Sequence, residues 1–435
     1  MRRFRSRTAT VIVVGGLLVL ESASSAAAVS TGGDLTNRVS VSSAGTESDG
    51  ESFAPAVSGN GRYVAFWSTG TTLVAGDTNA VADVFVRDLR TRTTSRISVA
   101  TGGVQADQEA SEPSISGDGR YVAFSSHATN LASGDTNDRG DIFVRDRREA
   151  RTTRVSVTSA GAEADNTSHS PAISADGRYV AFVSHAANLV PGDTNATEDV
   201  FVHDRQAGTT RRISVSTAGV EANERSLGPT ITADGRYVAF GSFATNLVPS
   251  GASGVFVRDL RQNHTELASV TSSGVPAGGN LGLNAAISAQ GRHVAFYTDA
   301  PDVVPGDTNT VQDIFVRDLR ADTTSRAGLS STGLQGDDNS FAPAISGNGR
   351  FVAFGSFATN LVPGDTNGVE DIFVQDRWTG VTRRVSVSGT NGEGDSVSDS
   401  AALSADGTRA AFVSYATNLV PNDRNRILDV FARSC

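Results

Sequence analysis

Apolar and polar positions follow two periods in this chain. The long period is a repeated word, "PAISADGRYVAF" at Pro171, whose relatives begin at Pro55, Pro113, Pro229, Ala285, Pro343 and Ala401. The starts lie 58 residues apart, with one step of 56. Within each unit the short period marks four strands. "PAIS" is a short first strand, and "RYVAF" follows it across a Gly-containing turn, Asp176-Gly177 in the third unit. That residue pair is what a tight hairpin needs. "DIFVRD" is the third strand. "TRRVSVS" is the fourth, and its strict apolar/polar alternation suits a half-exposed outer strand, while the continuous apolar runs of the second and third suit buried middle strands. No segment shows a sustained helical period.

Four short strands repeated seven times predict an all-β fold, a seven-bladed β-propeller of four antiparallel strands per blade. The units cover residues 37–435. The chain finishes on a third-strand sequence, "LDVFARSC", and "TNRVSVSS" near the start reads as a fourth strand. The N-terminal strand is therefore expected to complete the last blade and close the ring.

"SADGRYVAF" with "DIFVRDLRTRTTSRISV" resembles the WD40-like repeat of the TolB-type propeller family. The resemblance spans all seven units and implies the propeller fold. It does not extend to the N-terminal α/β domain of TolB proteins, for which this chain has no room, so the TolB role in envelope assembly is not carried over.

The first 28 residues read as a secretory signal: a basic "MRRFRSR", an apolar "TATVIVVGGLLVL" and an A-x-A site ending near Ala28. The alternative is a retained anchor. The propeller is assigned to 29–435. These features place the protein outside the cell, in a bacterial periplasm or in the cell envelope, as a monomer with no membrane span once the signal is removed. Formal charge is −10, all basic residues are Arg, and no basic stripe stands out, which argues against nucleic acid as a partner. Cys435 is the only cysteine, so stability must come from the core without disulfides.

In an antiparallel four-stranded blade the second-to-third loops and the blade-to-blade connections share one face. Both are long here, about 15 residues, a length that is uncommon without a function. Six of the seven second-to-third loops carry Asp-x-Asn-x-x-x-Asp: Asp77/Asn79/Asp83, Asp135/Asn137/Asp141, Asp193/Asn195/Asp199, Asp307/Asn309/Asp313, Asp365/Asn367/Asp371 and Asp423/Asn425/Asp429. The connections carry Asp49, Asp107, Asp165, Asn223, Gly279, Asp337 and Asp395 at matching positions. Blade 4 has no triplet, and the connection after it is the one with Gly279. This joint loss suggests that each triplet pairs with the acid of the following connection, Asp49 serving blade 7.

Two readings of these sites stay open. Clustered carboxylates call for a compensating cation, and Ca²⁺ takes six to eight oxygen ligands, with affinity expected between about 0.1 mM and millimolar for such an extracellular module. Equally, Asp and Asn close turns by bonding nearby backbone N–H groups.

No nucleophile elbow or usable catalytic cysteine is present. The six histidines are scattered; His127 and His185 share one position after the second strand, where other blades carry Thr69, Phe243, Asp299, Phe357 and Tyr415. The expectation is an exported, non-catalytic binding or scaffold module with a protein or glycan ligand. The alternatives are a carbohydrate-active hydrolase or lyase using carboxylates on the long-loop face, and a structural surface protein. The discriminator is whether non-repeated acid, His, Tyr or Arg residues converge at one end of the central channel.

Overall fold

The computed structural model describes residues 35–435; the expected signal at 1–28 lies outside them. The described chain is a seven-bladed β-propeller with seven four-stranded antiparallel sheets. Blade 1 runs Ser52–Val57, Tyr63–Ser68, Asp83–Asp88 and Thr93–Arg96 from the axis outward. Blades 2 to 6 repeat this order. Blade 7 takes Ser398–Leu403, Arg409–Ser414 and Asp429–Ser434 from the C-terminus, and Asn37–Arg38 from the N-terminal segment is its fourth strand. The ring closes as the sequence predicts. No helix among the described residues is long and apolar enough to cross a membrane.

The core lies between blades. Each blade stacks one Phe of its second strand on one of its third, as Phe66 on Phe85 and Phe124 on Phe143, both with centroids 5.8 Å apart. These rings meet small and β-branched residues of the neighbouring blade, as Phe124 and Phe143 meet Ala65, Val84 and Val86. Full burial of such a ring contributes about 1.5–3 kcal/mol, so seven pairs supply a large share of the stability.

The strands depart from the sequence reading in two places. The outer strand is only four residues in most blades, because the chain bends after it to form a single bridge, Val99 to Gln105 in blade 1. The bend is tied by Ser98, whose hydroxyl donates to Asp83 and accepts from the Val84 N–H. The inner strand is longer than "PAIS" and carries a bulge, between Phe53 and Ala56 in blade 1. The bulged residue is left-handed in most blades (Ala54, Glu112, Ser170, Gly228, Ala342 and Ser400).

At the short-turn end the hairpin tips join in a ring of backbone hydrogen bonds. Gly117 N–H donates to Ala175 O at 3.0 Å, Ala175 to Ala233, Ala233 to Ala289, Ala289 to Gly347 and Gly347 to Ala405, with Ala405 to Gly59 and Asn60 to Gly117 completing it. Only Gly or Ala occupies this position, since a larger side chain would strike the neighbouring tip. The channel is thus ringed by backbone hydrogen bonds at that end.

Candidate functional site

The long-loop face holds two kinds of polar structure, one repeated and one not. The repeated structure contains the Asp-x-Asn-x-x-x-Asp triplets. In six blades the two Asp carboxylates converge on an Arg at the end of the outer strand. Arg154 Nη1 lies 3.4 Å from Asp135, 3.0 Å from Asp141 and 2.8 Å from Glu163. Arg96 meets Asp77 and Asp83, Arg212 meets Asp193, Asp199 and Glu221, and Arg326 meets Asp307 and Asp313. Arg384 meets Asp365, Asp371 and Glu393. Blade 7 draws its Arg38 and Glu47 from the N-terminal segment to meet Asp423 and Asp429.

The Asn of each triplet donates its amide to a carbonyl of the following connection: Asn79 to Ala106, Asn137 to Ala164, Asn195 to Ala222, Asn309 to Gly336, Asn367 to Gly394 and Asn425 to Ser48. The connection acids go elsewhere. The carboxylates of Asp49, Asp107, Asp337 and Asp395 accept from both the N–H and the hydroxyl of Thr71, Thr129, Thr359 and Thr417 in the next blade's own loop. Asp165 accepts from Ala187 N–H and Asn223 from Thr245 N–H. The structure therefore brings each triplet together with an Arg and, in four blades, with a Glu that lies two residues before the connection acid.

Burial disfavours the ionised form of the knot carboxyls. It pushes Asp135, Asp193, Asp313, Asp365 and Asp429 up to about 6, with neighbouring carboxylates adding to the rise in Asp135 and the Arg opposing it. Carboxylate oxygens of Asp135, Asp141 and Glu163 lie within 4.8 Å of one another, a spacing that could hold a metal ion. Asp135 Oδ1 has no hydrogen-bond partner.

Blade 4 replaces the knot as a unit. Gly254 stands where the last Asp would be, Leu267 where the Arg would be and Pro276 where the Glu or Gln would be. A Cβ on Gly254 would touch the side chains of Leu267 and Leu281. An apolar contact fills the place of the ion pairs.

The non-repeated structure surrounds the channel mouth. It comes from the start of each inner strand, the end of each second strand and the residue before each third strand. The inner-strand pair is Phe53-Ala54 in blade 1, Ser111-Glu112 in blade 2, His169-Ser170 in blade 3 and Asp399-Ser400 in blade 7. Between blades 7, 1 and 2 these positions enclose a cleft of about 610 Å³ lined by Phe53, Trp67, Glu109, Glu112, Asp399 and Tyr415, among others. Phe53 and Trp67 stack with centroids 4.2 Å apart. Tyr415 donates its hydroxyl to Glu51 at 3.4 Å.

Glu112 links the cleft to blade 3, accepting from Ser170 N–H at 2.6 Å. Ser170 Oγ lies 3.0 Å from His169 Nδ1, and His169 Nε2 lies 3.1 Å from Glu198 Oε1. His185 Nε2 meets the same carboxylate oxygen at 3.1 Å. His185, which the sequence marks only as a variable exposed position, is thus part of a cluster. On the other side, Glu370 occupies in blade 6 the position Glu198 has in blade 3. It is buried, and burial, then Asp399 and Asp371, pushes its carboxyl up to about 8, so it holds its proton at neutral pH. These groups are the non-repeated acid, His and Tyr residues that the sequence discriminator asked for.

Comparison with known proteins bears on the fold and on one expectation. No protein-family model matches the chain, and no curated protein does. Among solved structures, an oligogalacturonate lyase in complex with manganese is similar at TM-score 0.55 and 11% identity, covering 93% of this chain and 94% of its own. The β-propeller domain of the Trilobed protease from Pyrococcus furiosus is similar at TM-score 0.54 and 12% identity, covering 88% of this chain and 95% of its own. A TolB from Agrobacterium tumefaciens aligns over 68% of this chain and 89% of its own at TM-score 0.40 and 14% identity, too loosely to carry an argument. Identities this low show the fold, a β-propeller. They also correct the expectation of a non-catalytic binding or scaffold module. That expectation took a chain made wholly of regular blades to lack an enzyme's apparatus, and the lyase, matched along 94% of its length, is an enzyme with this architecture.

Proposed function

We propose that the chain is a carbohydrate-active enzyme, a hydrolase or lyase, acting at the channel mouth of the long-loop face. The observation that carries this reading is the cleft between blades 7, 1 and 2, where an aromatic stack and three carboxylates meet at positions that differ from blade to blade. An indole edge or face offers a sugar ring an apolar surface with a polar rim. Glycoside hydrolysis calls for two carboxyl groups about the scissile bond, one protonated and one ionised. Glu370 is a protonated carboxyl beside Asp399, and Asp399 and Glu112 line the cleft. A carboxyl raised by burial, as Glu370 is, is a common way for a site to keep an acid protonated at neutral pH.

The protein is read as exported and monomeric, with a propeller of the TolB type. A second reading, compatible with the first, concerns blade 2. There Asp135, Asp141 and Glu163 face one guanidinium, and three carboxylate oxygens within 4.8 Å of one another favour Ca²⁺ as an added stabilising ion.

The test is turnover of neutral, amine-bearing and uronate oligosaccharides by the full chain, followed as reducing ends and as unsaturated product, with Glu112→Gln and Asp399→Asn alongside. Activity lost in both variants, with an alkaline limb near pH 8 that Glu370→Gln removes, supports the reading. No turnover across the panel, or turnover indifferent to both substitutions, sinks it.

A further inference from the structure

We infer that His169, His185 and Glu198 form a binding site for a divalent metal ion of the zinc class at the channel mouth. Two imidazole Nε2 atoms converge on one carboxylate oxygen, each at 3.1 Å. An ion bound by bonds of about 2.0–2.2 Å holds each nitrogen at about this separation from the oxygen; the two nitrogens stand wider apart than one ion allows, so binding requires the His185 ring to swing toward His169. Two His with one carboxylate are a donor set that suits Zn²⁺ and leaves a coordination position for water or substrate. The two rings come from different elements, His169 from the inner strand of blade 3 and His185 from the loop after its second strand, while Glu198 immediately precedes the third strand. The sheet therefore fixes His169 and anchors the other two donors one residue from its strand ends. The side chain of His185 is 44% exposed, so it has room to draw closer to His169 around an ion.

The surroundings fit as well. In the metal-free arrangement each ring donates Nε2–H to Glu198. Metal binding moves that proton to Nδ1, and for His169 the receiving group is Ser170 Oγ, 3.0 Å away. Ligating histidines characteristically have their second nitrogen held in this way, which fixes the tautomer. Ser170 is held in turn by Glu112, which lines the cleft. The trio occurs in blade 3 alone: His169, His185 and Glu198 correspond to Ser111, His127 and Gly140 in blade 2, so it is no part of the repeat. The site is distinct from the acidic knot of blade 2 and does not depend on the enzymatic reading.

Calorimetric titration of the full chain with Zn²⁺ alone, and with Co²⁺ for its visible absorption, tests this. The expected result is one ion per chain, with affinity reduced at least about tenfold in His169→Ala, His185→Ala and Glu198→Gln. His127→Ala, in the neighbouring blade, is expected to bind as the parent does. Melting curves of the ion-free variants confirm that each is folded. Absence of saturable binding overturns the proposal, and so does binding that survives both histidine substitutions, which would place the ion elsewhere.

Discussion

The ring of Arg-carboxylate knots and the channel mouth lie on one face of one fold, yet they obey opposite rules. The knots share an Arg and two Asp in six blades, and where blade 4 departs it loses the Asp, the Arg and the Glu or Gln together and puts Leu267 and Leu281 against Gly254. The mouth changes from blade to blade, from Phe53 and Trp67 to Glu112, His169 and Asp399. Repetition marks what the fold requires of every blade. Non-repetition, when the odd residues meet one another rather than solvent, marks what the molecule does once.

The sharpest way to break this comparison is at the mouth. Glu112→Gln is expected to lower turnover by about 10²–10⁴-fold, the usual range for a positioned acid-base group, while leaving the melting temperature within a degree or two. An equal loss of stability would move Glu112 to the structural side. At the knots the expectation reverses. Arg154→Ala strands buried carboxylates, and removing one partner of a buried pair costs about 3–5 kcal/mol; urea denaturation should show it with activity per folded molecule unchanged. Writing the blade 4 solution into blade 2, with Asp135→Ser, Asp141→Gly, Arg154→Leu and Glu163→Pro together, should recover much of that loss, because well-packed apolar groups often replace ion pairs without penalty.

A smaller effect comes from pH. Asp135, Asp193, Asp313, Asp365 and Asp429 sit at about 6 in the fold against an ordinary 3.8. Between those values the folded chain holds protons that the unfolded chain releases, so their contribution to stability rises as pH falls from above 6 toward 4. Asp88, Asp318 and Asp376 act in the other direction. Hydrogen bonds from Arg62, Arg292 and Arg350 hold them well below the usual range, and their contribution is lost as pH falls below about 4. Buried His203, held down to about 4, opposes this by costing stability as pH falls below 6.5, but the five raised Asp outnumber it and melting temperature should peak in mild acid; a monotonic rise toward pH 8 would contradict the upward shifts at the knots. The smallest expected shift is that of Ca²⁺. Several millimolar should raise the melting temperature by a few degrees at pH 8 and by less at pH 5, where protons compete for the same oxygens, and EDTA should reverse it. No shift at pH 8 removes calcium from the account.

The fold was legible because its units repeat: strand identity, blade number and ring closure by residues 37–38 can all be read from aligned words. The Asp triplets were legible for the same reason. Their Arg partners were not, because Arg96 and its counterparts sit in an alternating strand where a polar residue reads as solvent-facing. The clue was present in blade 4, where Leu267 and Pro276 change along with the triplet. The channel mouth was the least legible part. Glu112, His169 and Glu198 come together through neighbouring strands and blades, and spacing along one chain carries no such distance. His185 was visible as variable, but variation alone does not separate a ligand from a bystander.

Arg38, Ser40 and Glu47 serve the last blade. Ser40 reaches Asp429 across 389 positions of chain, and Arg38 pairs with the same Asp429. During synthesis, then, the earliest strand of the ring is the last to find its partner. Blades 1 to 6 have their partners as soon as they emerge, and residues 41–48 already meet blade 1 through Thr72, Arg87 and Thr94, whereas residues 37–40 wait for the third strand of blade 7. Contacts so far apart in sequence make for slow closure. Until that moment the molecule is an open arc with an exposed strand edge at each end, and the same short strand that finishes it is the one whose delay leaves it most open to cleavage or to pairing with another chain.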